Sequence, residues 1–434
     1  MKNLSNYLEK NLEFFILIIL MSILFAFVCV ANSYDLYVIG GFNAFPELAQ
    51  SFLHGQINFI NQIKNVDVIK INDLYYWHMP PLPALILIPF TFIFKTLIPQ
   101  NLASLISNIL LFCLIFIFTN RFVNTKKDRL WLTLMYFFAS VYVASIFFNG
   151  PYYFAHIVTT ILIFLSLLEF FGPSWPNSDS TNQQTLESKP RPEKKRFWLI
   201  GILSGLILLT RLTAFLTIIF FILAIIFDHA HFKNKVKNLI ALSIPVIICF
   251  LLLSSYNYLR FNNFFESGYT LTEAYQGVSD IHPYGQFSLK YIPTNFYYYF
   301  LESFRPFYKL TTFQNNYLLT PPYILPNKTG SLSFFIISPL FLLLFKADLK
   351  NKIIKYLLFT SAIILLVLLS YYYNGWPQIG PRYINDILPL LFTILLFQFK
   401  NTKLKKSYKL IIAFSALINI YLCLALSNLF LGKL

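Results

Sequence analysis

Apolar residues in this chain arrive in long blocks, and block length is what limits the folds open to it. Phe14 to Ala31, Ile354 to Ser370 and Leu410 to Phe430 each approach the roughly 20 residues a helix needs to cross a hydrocarbon layer ~30 Å thick. With 57% hydrophobic and 12% charged residues and a mean hydropathy of +0.62, the chain lies outside the range of water-soluble domains. The expectation is an all-α polytopic membrane protein.

The formal charge of +16 would suit a nucleic-acid binder, but Lys and Arg sit in short loops between apolar blocks, not on one arm or face. That distribution follows membrane insertion, in which cytoplasmic loops collect Lys and Arg, and it argues against nucleic acid as a partner. The lipid bilayer is the partner it implies. Cys29, Cys113, Cys249 and Cys423 all fall within apolar blocks, so neither a disulfide nor a metal site is expected. The run before Ala31 exceeds a usual signal-peptide core and reads as an uncleaved first span.

Charge also sets the topology. Lys2 and Lys10 precede the first span, which puts the N-terminus in the cytoplasm of a plasma-membrane protein and the chain from Asn32 outside. The apolar stretch 82–98 must then not cross, because a crossing would place Arg121 to Arg129 and Lys189 to Arg196 outside. It is only about 17 residues long and carries Pro83 and Pro89, so it reads as a re-entrant or juxtamembrane segment. Backbone that breaks at such depth needs protein or a wet cavity around it.

About eleven spans follow: 12–31, 101–119, 130–148, 153–171, 198–210, 212–227, 239–255, 331–346, 354–371, 384–399 and 410–430. They form a single membrane-embedded domain, 1–434. This arrangement puts about two thirds of the 34 Lys and Arg residues on the inner side. Two long external loops remain, 32–100 and 256–330, and long loops in compact domains are usually functional. The stretch 172–196, rich in Ser, Pro, Asn and Gln, reads as a disordered cytoplasmic linker.

Ionisable groups near hydrocarbon are costly, so those gathered at the outer ends of spans are the candidates for chemistry. Asp35, between Tyr34 and Tyr37, is either a partly desolvated general base or a solvated interfacial carboxylate. Tyr76, Trp77 and His78 precede Pro80-Pro81; His78 serves a phosphate or sugar oxygen, or makes a structural bond. The next outer turn brings Asn149, Tyr152, Tyr153 and His156.

Arg211 interrupts an apolar run of about 30 residues, where it binds an anion such as phosphate or snorkels. Tyr256, Asn257, Arg260, Glu266 and Tyr269 open the second loop. Near the tenth span stand Trp376, Arg382, Tyr383 and Asp386. Arg382 and Asp386, spaced i, i+4, pair with each other on a helix, or Asp386 orients Arg382 toward a phosphate. Tyr76, Trp77, Tyr153, His156, Tyr256, Asn257 and Tyr383 are the expected substrate pocket. No metal motif and no nucleotide-binding glycine loop occurs, so no cofactor is expected.

An Asp shortly after span one, the YYWHMPPLP loop, the break in GILSGLILLTRLT and the late GPRYINDILP together resemble polytopic GT-C glycosyltransferases. The protein O-mannosyltransferase and aminoarabinose transferase branch is the most similar. The resemblance implies a GT-C-like bundle, a polyprenyl-phosphate-linked sugar as donor, and Asp35 as catalytic base. Arg211 and Arg382, with His78 behind them, are the cations expected at the donor phosphate, and the acceptor is a lipid, glycan or protein. Many relatives carry a second acidic residue at the turn that here reads NGPYYFAH, where this chain has Asn149 and His156. A flippase or exporter of lipid-linked sugars is the rival expectation; it predicts two-fold internal repeats, which the sequence does not display. A membrane scaffold is a third, and it leaves Arg211 without a role.

Overall fold

A computed structural model describes residues 43–63, 65–94, 100–148, 150–172, 194–276, 284–306, 309–313, 316–320, 324–325, 332–375, 378–400 and 402–430. The expected first span 12–31, Asp35, Asn149, Trp376 and most of the expected linker 172–196 lie outside these residues.

Among the described residues, five helices are long and apolar enough to cross a membrane. They are Gln100–Thr119 (α3), Pro151–Phe170 (α6), Phe232–Phe261 (α10), Lys352–Ser370 (α13) and Lys406–Phe430 (α15). Lys126–Phe138 (α4) and the segment 141–147, which ends in Ala144–Phe147 (α5), meet at a 62° bend and together make a sixth. Shorter apolar helices accompany them: Lys194–Leu208 (α7), Leu212–Phe215 (α8), Ile218–Ile226 (α9) and Leu388–Gln398 (α14). The protein is a helical polytopic membrane protein.

The expected span 331–346 is replaced by a four-residue helix, Phe334–Ile337 (α12), and a 3₁₀ helix, Pro339–Lys346. Pro339 supplies no amide hydrogen, which removes one rung of an α-helical ladder at this point and favours a break. The Ser338 hydroxyl instead accepts from the Val141 amide, 3.0 Å away, and ties this break to the bend between α4 and α5.

Ahead of α3 the chain builds Ala44–Leu53 (α1), the strands Val68–Ile71 (β1) and Leu74–Trp77 (β2), and Leu82–Phe94 (α2). The strands pair antiparallel, with Val68 opposite Trp77, through a two-residue turn at Asn72 and Asp73, both at positive φ. Such turns match the right-handed twist of the strands, and Asn and Asp tolerate the left-handed region. Helix α2, at 13 residues, is about 20 Å long. Phe92, Ile93 and Phe94 at its end are 70%, 67% and 62% exposed, the composition of a face turned to lipid.

Close packing is set by small residues. A Cβ on Gly201 of α7 would fall 2.5 Å from the Leu242 carbonyl oxygen of α10, so only glycine permits this approach. At the end carrying the basic loops, Phe118, Phe122, Phe171 and Phe397 pack edge to face. There Asp128 holds Lys409 at 2.6 Å and accepts from Thr125 and from the Leu404 amide, joining α4 to α15.

Candidate functional site

The opposite end carries a cavity of about 150 Å³. The break between α7 and α8 forms one side of it. Arg211 there is extended, at φ −149° and ψ 119°, and caps α8. The Pro80-Pro81 turn docks on this break through the Leu82 amide, 3.0 Å from the Leu209 carbonyl oxygen, so Pro80 reaches the cavity wall.

Arg211 is 8% exposed and faces Asp386, which is wholly buried. Nε lies 2.8 Å from Oδ1 and Nη2 3.1 Å from Oδ2, a two-point contact in which the guanidinium fork matches the carboxylate. The Thr213 hydroxyl donates to Oδ2 at 2.5 Å. His156 Nδ1 stands 3.3 Å from Oδ1, although neither ring nitrogen of His156 makes a hydrogen bond among the described residues.

Asp386 is thus paired with Arg211 and not, as the i, i+4 spacing suggests, with Arg382. The reason is local: Arg382–Asp386 is a 3₁₀ helix, in which residues three apart, not four, share an edge. Tyr383 and Asp386 occupy one edge and turn together toward Arg211, whose guanidinium carbon is 5.9 Å from the Tyr383 ring centre. Arg382 points elsewhere. Its guanidinium carbon lies 5.2, 5.5 and 5.3 Å from the rings of Tyr152, Tyr153 and Tyr383, behind the wall and 3% exposed. Its backbone amide donates to Gln378 Oε1 at 3.1 Å. Gly375, at φ +98°, leaves room for both, since a Cβ there would fall 2.8 Å from Gln378 Oε1 and 3.1 Å from Arg382 Nε.

Two loops close the cavity. The Ser288 amide donates to the Ser370 carbonyl at 2.8 Å and the Tyr372 amide to that of Gln286 at 2.9 Å, which places Gln286, Phe287 and Tyr371 at the rim. Asn295, in the helix Ile292–Phe300 (α11), locks the end of α13 by donating to the carbonyls of Leu369 and Tyr371 at 2.8 and 2.7 Å. Ser267 and Tyr269 come from the loop after α10, while Leu212, Val367 and Leu368 supply an apolar side. Among the described residues lining the cavity, Arg211 carries the charge.

The other expected site residues divide. Tyr383 lines the cavity; Tyr153 and His156 lie beneath it. Trp77 is core, edge-on to Phe45. Tyr76 packs on Phe261, and Tyr256 and Asn257 belong to a clamp around Arg260, which donates to the Trp77 carbonyl and, at 2.7 Å, to Asn257 Oδ1. That clamp fastens the hairpin to α10 and is separate from the cavity.

His78 is one layer back. Nδ1 lies 2.9 Å from the Asp67 carbonyl oxygen and Nε2 3.4 Å from the Tyr152 hydroxyl, so both nitrogens are engaged by protein. Burial lowers the imidazole to about 4, with Arg260 adding to the effect and Asp67 opposing it. Sequence reasoning missed Thr213, Asp67, Gln286, Phe287 and Tyr371 as site residues. Thr213 alone had a signal, its place beside Arg211 in the TRLT break.

Among the described residues no group of three or more His, Cys, Asp or Glu side chains is placed to hold a metal ion. No family model matches the sequence, and no curated protein matches it. Solved structures similar to this chain include the Archaeoglobus fulgidus oligosaccharyltransferase tethered with an acceptor peptide containing the NVT sequon, at 15% identity and a TM-score of 0.47 over 98% of this chain and 56% of that one. ArnT from Cupriavidus metallidurans bound to undecaprenyl phosphate is similar at 12% identity and a TM-score of 0.46, over 88% of this chain and 59% of that one. The archaeal oligosaccharyltransferase AglB from A. fulgidus, in complex with an inhibitory peptide and a dolichol-phosphate, gives 13% identity and 0.46, over 97% and 56%. These neighbours are GT-C superfamily glycosyltransferases, and this chain spans between 56% and 59% of their lengths.

Proposed function

We propose that the protein is a membrane glycosyltransferase that moves a sugar from a polyprenyl-phosphate donor to an acceptor hydroxyl at the outer face of the membrane. One observation carries this reading: the cavity sets the Arg211 guanidinium against an apolar side made by Leu212, Val367 and Leu368, with phenols between. A phosphate bearing an apolar chain and a sugar matches all three surfaces at once.

Asp386 uses Nε and Nη2 of Arg211, which leaves Nη1 for a phosphate oxygen. Arg382, behind Tyr152 and Tyr383, adds positive potential without touching the ligand. In this mechanism Asp35, assigned from its position after the first span, takes the proton of the acceptor hydroxyl. The oxygen attacks the anomeric carbon, the bond to the lipid phosphate breaks with inversion, and Arg211 stabilises the charge arriving on that phosphate.

The test uses the full chain in lipid nanodiscs with undecaprenyl phosphate as probe. Arg211→Ala is expected to weaken binding by about 30-fold, the scale of a charge-assisted contact. Asp35→Asn is expected to bind the probe normally while losing transfer. Unchanged probe affinity in Arg211→Ala, or full transfer by Asp35→Asn, overturns the assignment.

A further inference from the structure

Tyr152 stands in the cavity wall, and what lies behind it fixes the direction of its hydroxyl proton. A backbone carbonyl only accepts, so the 2.9 Å contact between His78 Nδ1 and the Asp67 carbonyl oxygen places the ring proton on Nδ1. With the ring lowered to about 4 it is neutral at pH 7, and Nε2 presents a lone pair. That lone pair lies 3.4 Å from the Tyr152 oxygen, so Tyr152 is the donor. The second polar neighbour of this hydroxyl is the Asp67 carboxylate, which when ionised also only accepts. The phenol proton is therefore drawn into the protein, so whichever side of the phenol oxygen the cavity reaches carries lone pairs only.

The same cavity holds Arg211, a group with donors only. Its two polar ends ask opposite things of a ligand. A phosphate oxygen satisfies Arg211 but meets Tyr152 lone pair against lone pair; a hydroxyl satisfies Tyr152.

We infer that Tyr152 is a specificity-determining residue that accepts a hydrogen bond from a hydroxyl group of the substrate, with His78 and Asp67 as the positioning residues that hold its proton away from the cavity. This rests on the glycosyl-transfer reading, and the hydroxyl belongs either to the donor sugar or to the acceptor. With phosphate at Arg211 and hydroxyl at Tyr152, the substrate can enter in one orientation only. The aromatic packing around His78, with Tyr269 edge-on at 4.4 Å and Trp77 at 4.5 Å, keeps the ring from turning.

Two measurements test it. Nitrogen-15 histidine spectra of the full chain in lipid, with the His78 signal assigned by its loss in His78→Asn, are expected to show a neutral ring protonated on Nδ1 at pH 7. A ring protonated on Nε2, or a cationic one, overturns the inference without reference to any ligand. Affinities of wild type and Tyr152→Phe are then compared for undecaprenyl phosphate and undecaprenyl phosphoryl-glucose. A loss of about tenfold for the glycosylated lipid alone, the worth of one hydrogen bond, assigns the hydroxyl to the donor sugar. Unchanged affinity for both lipids, with a KM for total envelope lipids as acceptor raised about tenfold, assigns it to the acceptor. No change in either overturns the inference. Failure of the wild type to bind undecaprenyl phosphate overturns the transferase reading itself.

Discussion

The guanidinium of Arg211 grips the carboxylate of Asp386 across 175 positions of sequence, through bonds of 2.8 and 3.1 Å. Both are buried, so removing either leaves the other charge without its partner, at a cost of about 3–5 kcal/mol. Asp386→Leu and Arg211→Met are each expected to lower the unfolding midpoint of the detergent-solubilised protein sharply, and the double variant by less than the sum. Additive losses in that cycle would rule out the coupling.

Gly375→Ala tests how Arg382 is held. The backbone there, at φ +98°, is strained for any residue with a side chain, and the new methyl would press on Gln378 and Arg382. The expected result is a loss of about 1–3 kcal/mol in stability with weaker binding of undecaprenyl phosphate. Stability reduced with binding intact would show that Arg382 contributes nothing to the cavity potential.

The glycine contact between α7 and α10 predicts a purely mechanical defect. Gly201→Ala pushes a methyl against a backbone carbonyl that cannot rotate away, and overpacking of this kind costs about 1–3 kcal/mol. Thermal unfolding measures it; a midpoint equal to that of the wild type would mean that the helices separate freely.

His78 predicts how stability depends on pH. Its folded value of about 4 lies below the ordinary 6.5, so between these values the unfolded chain binds a proton that the folded chain refuses. The His78 contribution is complete above pH 6.5, declines as pH falls toward 4, and is flat below; linkage puts the whole at roughly 3 kcal/mol. His78→Gln is expected to flatten that window of the unfolding profile. Identical slopes in variant and wild type would contradict the buried neutral ring.

Much of this architecture is legible in residue order. A run of about 20 apolar residues has few fates, so α3, α6, α10, α13 and α15 all fall on expected spans, and Arg211 marks itself by interrupting such a run. What escaped depends on contacts between distant segments. The i, i+4 rule failed at Asp386 because it presumes an α-helix, and nothing in RYIND announces a 3₁₀ turn. Gln286 and Phe287 reach the cavity through backbone bonds to 370–372, which carry no side-chain signature. Asp67 reads as a loop carboxylate until the hairpin folds its neighbours against His78.

The cavity draws its wall from residues as far apart as Pro80 and Tyr383. A membrane protein enters the bilayer segment by segment as the ribosome delivers it. Arg211 therefore takes its place well before the turn that bears Asp386 has been synthesised. Until then its charge has no carboxylate to meet, and no nascent fragment possesses a finished binding site. The cavity is completed late in synthesis, once the segments that carry Val367, Tyr371 and Tyr383 have joined those already made.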